Sequence, residues 1–182
     1  MPRVLVPLAQ ACEELEAVTI IDLLRRAGIE VVTAGLEPGP VTASRGVVLL
    51  PDTVLDDVLD QDFDMIALPG GLPGADHLRD DERIIQLLQN MARAGKYTAA
   101  ICAAPKVLAK AGLLEGRRLT AYPGALDAIE IPAGHYTGER VEVDEWIITS
   151  RGPGTAMDFA LTLIEKLVGR EKRDEVERGL VR

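Results

Sequence analysis

Cys102 is the residue whose surroundings in the sequence most favour nucleophilic chemistry. The apolar run ending at Ile101 has the length of a buried strand, and the Ala, Leu and Lys spacing from Ala103 predicts a helix ending at Gly112. Cys102 is therefore expected on the sharp turn between them, with Pro105 in the first helical turn, where a missing N–H costs nothing. The unpaired N–H groups and dipole of the helix start favour the thiolate. A small buried cysteine filling the core is the alternative, and the turn alone does not decide between them.

A glycine pair, Gly70 and Gly71, follows a second buried run that ends at Leu68-Pro69. Paired glycines let backbone N–H groups approach a ligand closely, as an oxyanion hole requires. An ordinary tight turn is the simpler interpretation of the pair taken in isolation. The spacing fits neither a dinucleotide fingerprint nor a phosphate-binding loop, since both G-x-G-x-x-G and a G-K-[ST] ending are missing.

Three glutamates, Glu13, Glu14 and Glu16, open the first predicted helix, where the helix dipole favours them as capping residues. Helical spacing places Glu16 on the same face as Ile20, which is the core side. A carboxyl group turned inward near the strand ends loses water, so its pKa rises and it can donate a proton to a nearby thiolate. Cys12 precedes this helix with no base or second thiol near it in sequence, and we interpret it as an ordinary free thiol.

Neither a metal site nor a serine nucleophile is expected. The two histidines, His77 and His135, and the two cysteines lie far apart in the chain and match no zinc spacing. His77 follows a Gly-rich turn and could line the mouth of a site, whereas His135 at the start of a predicted hairpin is interpreted as structural or exposed. No G-x-S-x-G motif supports a serine hydrolase.

Composition limits the class of protein. A chain of 182 residues, 47% hydrophobic, suits one domain with a full-sized core. Two cysteines and no hydrophobic signal region at the N-terminus predict a reducing cytoplasm, and apolar runs of strand length predict no membrane span. The net charge of −9 argues against nucleic-acid binding through a broad basic surface. The mixed-charge tail 169–182 is predicted to be a solvated helix.

Strands and helices are predicted to alternate along the chain. The predicted strands cover 4–9, 30–35, 64–68, 96–101 and 118–122, and the predicted helices cover 14–27, 53–59, 81–94, 103–112 and 154–168. Two short β segments are expected as an antiparallel excursion at a sheet edge within 37–50, and a hairpin within 133–148 turning at Thr137-Gly138-Glu139. This alternation predicts a doubly wound α/β fold, in which ligands bind beyond the carboxyl ends of the strands. Cys102, Gly70 and the residues after Ala9 all lie at such ends.

Several motifs together resemble the ThiJ/PfpI superfamily. They are Leu68-Pro69-Gly70-Gly71, Ala100-Ile101-Cys102-Ala103-Ala104-Pro105 and Ser150-Arg151-Gly152-Pro153-Gly154-Thr155. Glu13-Glu14-Leu15-Glu16-Ala17-Val18 and Leu24-Arg25-Arg26-Ala27-Gly28-Ile29 are similar to its DJ-one branch, the parkinsonism-associated deglycases. The segments 21–24 and 167–172 are especially similar to bacterial members of the YajL type. The resemblance covers nearly the whole chain in the same order.

The resemblance implies a flavodoxin-like sandwich that forms a homodimer and uses no cofactor. It gives Cys102 the role of reactive cysteine and Glu16 that of the protonated glutamate that hydrogen-bonds the thiolate or its sulfinate. It also implies that the N–H groups of Gly71 and Ala103 form an oxyanion hole. The residues that it places in the pocket or at the dimer contact are Gly70, Tyr122, Arg45 and Arg151.

The activity implied is a thiol-dependent glyoxalase or deglycase that acts on methylglyoxal or on glycated proteins and nucleotides. A redox-responsive chaperone or sensor, working through oxidation of Cys102, is the alternative. Human-type members carry histidine where this chain has Tyr122, and because tyrosine is a poor base at neutral pH, weak activity is expected. Ala103 in place of a histidine argues against the protease-like branch, and the lack of a C-terminal His-x-Glu argues against a glutamine amidotransferase.

Overall fold

The computed structural model describes residues 1–182. Its strands are β1 (Arg3–Leu8), β2 (Glu30–Gly35), β3 (Val41–Thr42), β4 (Val48–Leu49), β5 (Thr53–Val54), β6 (Met65–Leu68), β7 (Tyr97–Ile101), β8 (Arg118–Leu119), β9 (His135–Tyr136), β10 (Val141–Asp144) and β11 (Ile147–Ser150). Its α-helices are α1 (Glu14–Arg26), α2 (Gly74–Asp80), α3 (Glu82–Arg93), α4 (Pro105–Lys110), α5 (Ala156–Val168) and α6 (Arg170–Gly179). Short 3₁₀ turns cover Leu55–Val58 and Pro153–Thr155.

Seven of the strands form one central sheet in the order β10-β11-β7-β6-β1-β2-β5. All neighbours are parallel except β10, which runs antiparallel to β11 at one edge. The chain passes from β1 to β2 on one side and later returns to β6 on the other. The strand order therefore reverses at β1, which opens a crevice at the carboxyl ends of β1 and β6. The predicted doubly wound, flavodoxin-like α/β fold is confirmed.

Helices cover both faces of the sheet, and the core consists of two apolar clusters. Side chains alternate along a strand, so Val4 and Val6 of β1 face one cluster while Leu5 faces the other. Phe159 of α5 packs in the first cluster and Leu88 of α3 in the second. None of the helices is long and apolar enough to cross a bilayer.

Helix α1 begins where the sequence predicted, because Glu13 caps it. The Glu13 carboxylate accepts a hydrogen bond from the N–H of Glu16 at 2.8 Å, and the helix ends before Gly28, which has a φ of +76°. The predicted tail helix is also present as α6 and carries several ion pairs, but its Val176 is buried.

The predicted hairpin over 133–148 is wrong. Residues His135–Tyr136 pair in parallel with Arg118–Leu119, and the real hairpin joins β10 to β11. Its turn is Glu145-Trp146, where Glu145 adopts a φ of +53°. The glycine at Thr137-Gly138-Glu139 was the stronger turn signal in the sequence. The N–H of Thr137 instead bonds to the carbonyl of Leu119, which keeps this segment along β8.

Four shorter segments also differ from the prediction. Thr53–Val54 extend the sheet as an edge strand beside β2, so only Leu55–Val58 of the expected helix is helical. The expected strand 118–122 ends at Leu119. The two β segments within 37–50 do pair antiparallel, but they form a separate two-stranded sheet. Helix α2 was not predicted, because the Pro and Gly before it are typical of a loop.

Candidate active site

Cys102 occupies a strained turn directly after β7. Its φ is +64°, a left-handed value that residues with side chains rarely adopt. Its N–H donates to the carbonyl of Ser150 at 3.0 Å, so the neighbouring strand β11 holds one side of the turn. Pro105 then opens α4 as its first residue. The side chain is nearly buried, with 8% exposure.

Two backbone N–H groups, those of Gly71 and Ala103, lie beside the Cys102 sulfur and stabilise its anion. Each belongs to a peptide unit whose carbonyl is held from the opposite side. The N–H of Glu13 bonds to the Gly70 carbonyl, and the N–H of Tyr122 bonds to the Cys102 carbonyl, both at 2.9 Å. Because N–H and C=O point in opposite directions in a trans peptide, these bonds fix the orientation of both donors.

Glu16 lies fully buried on the core side of α1, where helical spacing placed it. Burial raises the pKa of Glu16 to about 8, and the negative charge of Glu13 adds to the rise. The Cys102 thiol and the Gly70 N–H lie close enough to lower the pKa of Glu16 and partly offset this rise. Neither reaches hydrogen-bond geometry, however, and both carboxyl oxygens lack a partner. The carboxyl group is therefore neutral near pH 7.

The environment of Cys102 corrects one expectation from the sequence. The helix start was expected to lower the pKa of this thiol, but burial and the adjacent Glu16 carboxylate raise it to about 12. The two N–H donors oppose this rise without cancelling it. Because Cys102 and Glu16 disfavour each other's charge, they titrate as a pair that carries a single negative charge after its first proton is lost.

The glycine pair is required by close packing. A methyl group on Gly70 would lie 2.7 Å from Cβ of Cys102 and 2.8 Å from Oε1 of Glu16. A methyl group on Gly71 would lie 2.5 Å from the nitrogen of Glu13, and Gly71 itself has a φ of +91°. The β6 loop thus touches both α1 and the cysteine turn, which an ordinary tight turn would not need to do.

Tyr122 and Arg151 line a neighbouring cleft of about 230 Å³ together with Arg140 and the turn at Pro153–Thr155. The Arg151 guanidinium donates to the Gly138 carbonyl at 3.1 Å. Tyr122 is half exposed and approaches Cys102 through its main chain. That contact is independent of the side chain, so the turn can be held with tyrosine or histidine at this position.

Arg45 lies on the loop between β3 and β4, with its side chain exposed. The residue that holds this loop is Glu14, whose carboxylate accepts from the N–H of Arg45 at 2.8 Å and from the Ser44 hydroxyl at 3.0 Å. Burial alone would raise the pKa of Glu14, but these hydrogen bonds lower it overall. The sequence indicated only a capping role for Glu14, since its loop partners lie about 30 residues away.

The other candidates lie outside the cysteine turn. His77 faces a separate cavity of about 300 Å³ beside Gln10 and Asp80, and His135 is exposed. Cys12 is buried, which raises the pKa of its thiol to about 11. No group of three or more His, Cys, Asp or Glu side chains is arranged to hold a metal ion.

Curated relatives match nearly all of this chain. Drosophila melanogaster "Protein dj-1beta" is 45% identical over 97% of this chain and 95% of its own length. Arabidopsis thaliana "Protein DJ-1 homolog A" is 43% identical over 98% of this chain, which spans only 46% of that longer protein. Caenorhabditis elegans "Glutathione-independent glyoxalase DJR-1.2" is 36% identical over 92% of this chain and 89% of its own length.

Solved structures show the same likeness. "Toxoplasma gondii DJ-1, oxidized" superposes with a TM-score of 0.94 at 44% identity, covering 100% of this chain and 98% of that one. The finer similarity to YajL-type bacterial members stays a prediction. The sequence model of the DJ-1/PfpI family matches residues 2–166. On these grounds the chain belongs to the DJ-1/PfpI family.

Proposed function

We propose that this chain is a cofactor-independent glyoxalase or deglycase in which the Cys102 thiolate attacks methylglyoxal or an early glycation adduct on a protein or nucleotide. The observation that carries the proposal is a nearly buried thiol flanked by two oriented N–H groups and by the buried Glu16 carboxyl. The Caenorhabditis elegans relative named a glutathione-independent glyoxalase supports this reaction class.

Loss of one proton from the pair produces the nucleophile. With a pKa of about 8 for Glu16 and about 12 for Cys102, the first proton leaves mainly from Glu16, and the nucleophile forms when the Glu16 carboxylate takes the proton of the Cys102 thiol. The N–H groups of Gly71 and Ala103 stabilise the resulting thiolate. Sγ of Cys102 then attacks the aldehyde carbon. The S–C bond forms, the carbonyl electron pair moves to oxygen beside the N–H groups, and Glu16 protonates that oxygen to give a hemithioacetal.

The second half of the reaction moves two protons and adds water. The Glu16 carboxylate removes the hydrogen of the former aldehyde carbon as a proton and delivers it to the adjacent carbon, while the hydroxyl proton of the hemithioacetal passes to the oxygen of that adjacent carbon, which gives a lactoyl thioester. Water then cleaves the C–S bond, releasing lactate and restoring the thiol. One methylglyoxal and one water become one lactic acid, so the reaction needs no oxidant or reductant.

Tyr122 makes the predicted activity weak. With no imidazole at this position, Glu16 and water must perform every proton transfer, and general acid–base groups typically contribute about 10²–10⁴-fold to rate. Tyr122 still supports the turn through its N–H.

Lactate formation from methylglyoxal by purified protein tests this proposal. Cys102→Ala is expected to abolish lactate formation, because the nucleophile is lost. Cys12→Ala is the matched control, since Cys12 is also a free, buried cysteine, and it is expected to retain the activity. Unchanged lactate formation by Cys102→Ala would refute the mechanism.

A redox-responsive chaperone or sensor is the second candidate, and the buried, neutral Glu16 beside Cys102 favours it. A protonated carboxyl group there can donate a hydrogen bond to a sulfinate. Two equivalents of peroxide would each transfer one oxygen to the sulfur and be reduced to water. Peroxide titration with peptide mass analysis should then show oxygen on Cys102 before Cys12. The reverse order would contradict the sensor role.

We further propose that the chain acts as a single-domain homodimer in the cytoplasm, where a reducing environment keeps both thiols free. Exposed apolar side chains occur on α1, at Leu15 and Val18, and at the β3–β4 hairpin, at Val48 and Leu50, and Val18 and Leu50 line the same cleft. Exposed apolar side chains of this kind favour burial against a second copy of the chain in a dimer interface. Leu50→Asp should convert a dimer to a monomer in sedimentation velocity. A wild-type chain that sediments as a monomer would exclude the dimer.

A further inference from the structure

Lys106 and Asp76 form an ion pair that joins two helices beside the reactive cysteine. Nζ of Lys106 lies 2.9 Å from Oδ1 of Asp76, and the Lys106 side chain is only 12% exposed. Lysine is rarely buried to this extent without a specific partner. Asp76 also contacts Arg79 of its own helix at 3.2 Å. The Lys106–Asp76 contact is the only side-chain hydrogen bond or ion pair between α2 and α4.

Each of these helices is connected to one of the two N–H groups that face the sulfur. Helix α4 begins at Pro105, two residues after Ala103. Helix α2 begins at Gly74, and the N–H of Ala75 bonds to the Gly71 carbonyl at 2.8 Å, which ties Gly71 to that helix. A shift of α2 relative to α4 would therefore change the separation of the two donors.

We propose that Lys106 is a positioning residue: its ion pair with Asp76 keeps the Gly71 and Ala103 N–H groups at the separation needed to bind one sulfur and one oxyanion together. The predicted effect of the Lys106–Asp76 ion pair on turnover rests on the proposed function. Its effect on the acidity of the Cys102 thiol follows from the N–H groups alone.

The expected effect is smaller than the loss of a donor. Removing one oxyanion-hole donor lowers kcat by about 10²–10³, so loosening both without removing either should lower it about tenfold. Loosening the two N–H donors weakens their interaction with the thiolate and the oxyanion more than it weakens substrate binding. KM should therefore stay within about twofold of the wild-type value. The pH midpoint of Cys102 reactivity should rise, because thiolate stabilisation is weakened.

The test compares Lys106→Met and Asp76→Asn with the double variant. Lys106→Arg keeps the charge and should restore most of the wild-type behaviour. Lys110→Met is the matched control, because Lys110 is exposed on the same helix and forms no ion pair. The readouts are kcat and KM for methylglyoxal, melting temperature, and the pH dependence of Cys102 alkylation by iodoacetamide.

Both single variants should show the lower kcat and the raised alkylation midpoint, and the double variant should show no more than either single one. Lys110→Met should match wild type. A lower melting temperature with an unchanged alkylation midpoint would overturn the proposal, as would independent, additive effects. Since alkylation does not depend on turnover, a wild type that forms no lactate would refute the proposed function without deciding this inference. Asp76→Asn tests the same contact if Lys106→Met fails to fold.

Discussion

Replacing Glu16 by glutamine should remove a loss of stability that the wild type undergoes as pH rises, and it should also remove the proton relay. In the folded chain the pKa of Glu16 is about 8, against 4.5 for an unperturbed glutamate. Between these values the folded state holds a proton that the unfolded state has released. Stability of the wild type therefore decreases as pH rises through this window.

The magnitude follows from proton linkage. One proton bound only by the folded state changes the free energy of unfolding by about 1.4 kcal/mol per pH unit. Between about pH 5 and about pH 7 the wild type should lose about 3 kcal/mol relative to Glu16→Gln, whose amide does not titrate. Contributions from every other group are shared by the two proteins and cancel in the difference.

Urea unfolding of both proteins at several pH values between these limits measures the difference directly. We expect the free energy of unfolding of the variant, minus that of the wild type, to increase steadily with pH. We also expect lactate formation by the variant to be largely lost. A stability difference that stays constant over this range would show that Glu16 is ionised in the folded chain, and would refute the proton-relay reasoning.

Three further changes probe the same surroundings. Glu13→Gln removes a negative charge that raises the pKa of Glu16, so the pH–rate profile of lactate formation should move to lower pH, whereas an unmoved profile would contradict the coupling. Gly70→Ala forces a methyl group against Cys102 and Glu16 and should destabilise the chain by about 1–3 kcal/mol in urea unfolding, with a marked loss of lactate formation; wild-type stability would contradict the packing. Glu14→Gln should weaken the hold on the β3–β4 loop, seen as faster amide hydrogen exchange there, and unchanged protection would argue against that role.

The fold and the reactive turn could be predicted because local patterns specify them. Alternating strand and helix signals imply a parallel sheet, and the buried run before Cys102 followed by Pro105 defines a strand-to-helix turn. The hairpin within 133–148 could not be located, because its real turn at Glu145-Trp146 lacks glycine, proline and asparagine. Its position depends instead on Ile147 and Ile148 joining β7, a contact between residues almost 50 positions apart.

The electrostatics of the site could not be predicted from spacing. A cysteine at a helix start suggests a lowered pKa, but burial and Glu16 reverse the direction for Cys102. The hydrogen bonds that orient the two N–H groups come from Glu13 and Tyr122, at the end of one loop and the middle of another. Such contacts depend on tertiary packing, and the periodicity of the sequence does not predict them.

Rapid-quench mass spectrometry of the first turnover tests the central claim most directly. Acid quenching within one turnover should trap the mass of one methylglyoxal on the peptide containing Cys102, and not on the peptide containing Cys12. This adduct should decay as lactate appears. Lactate formed with no adduct on Cys102 at any time, or formed equally by Cys102→Ala, would contradict the account.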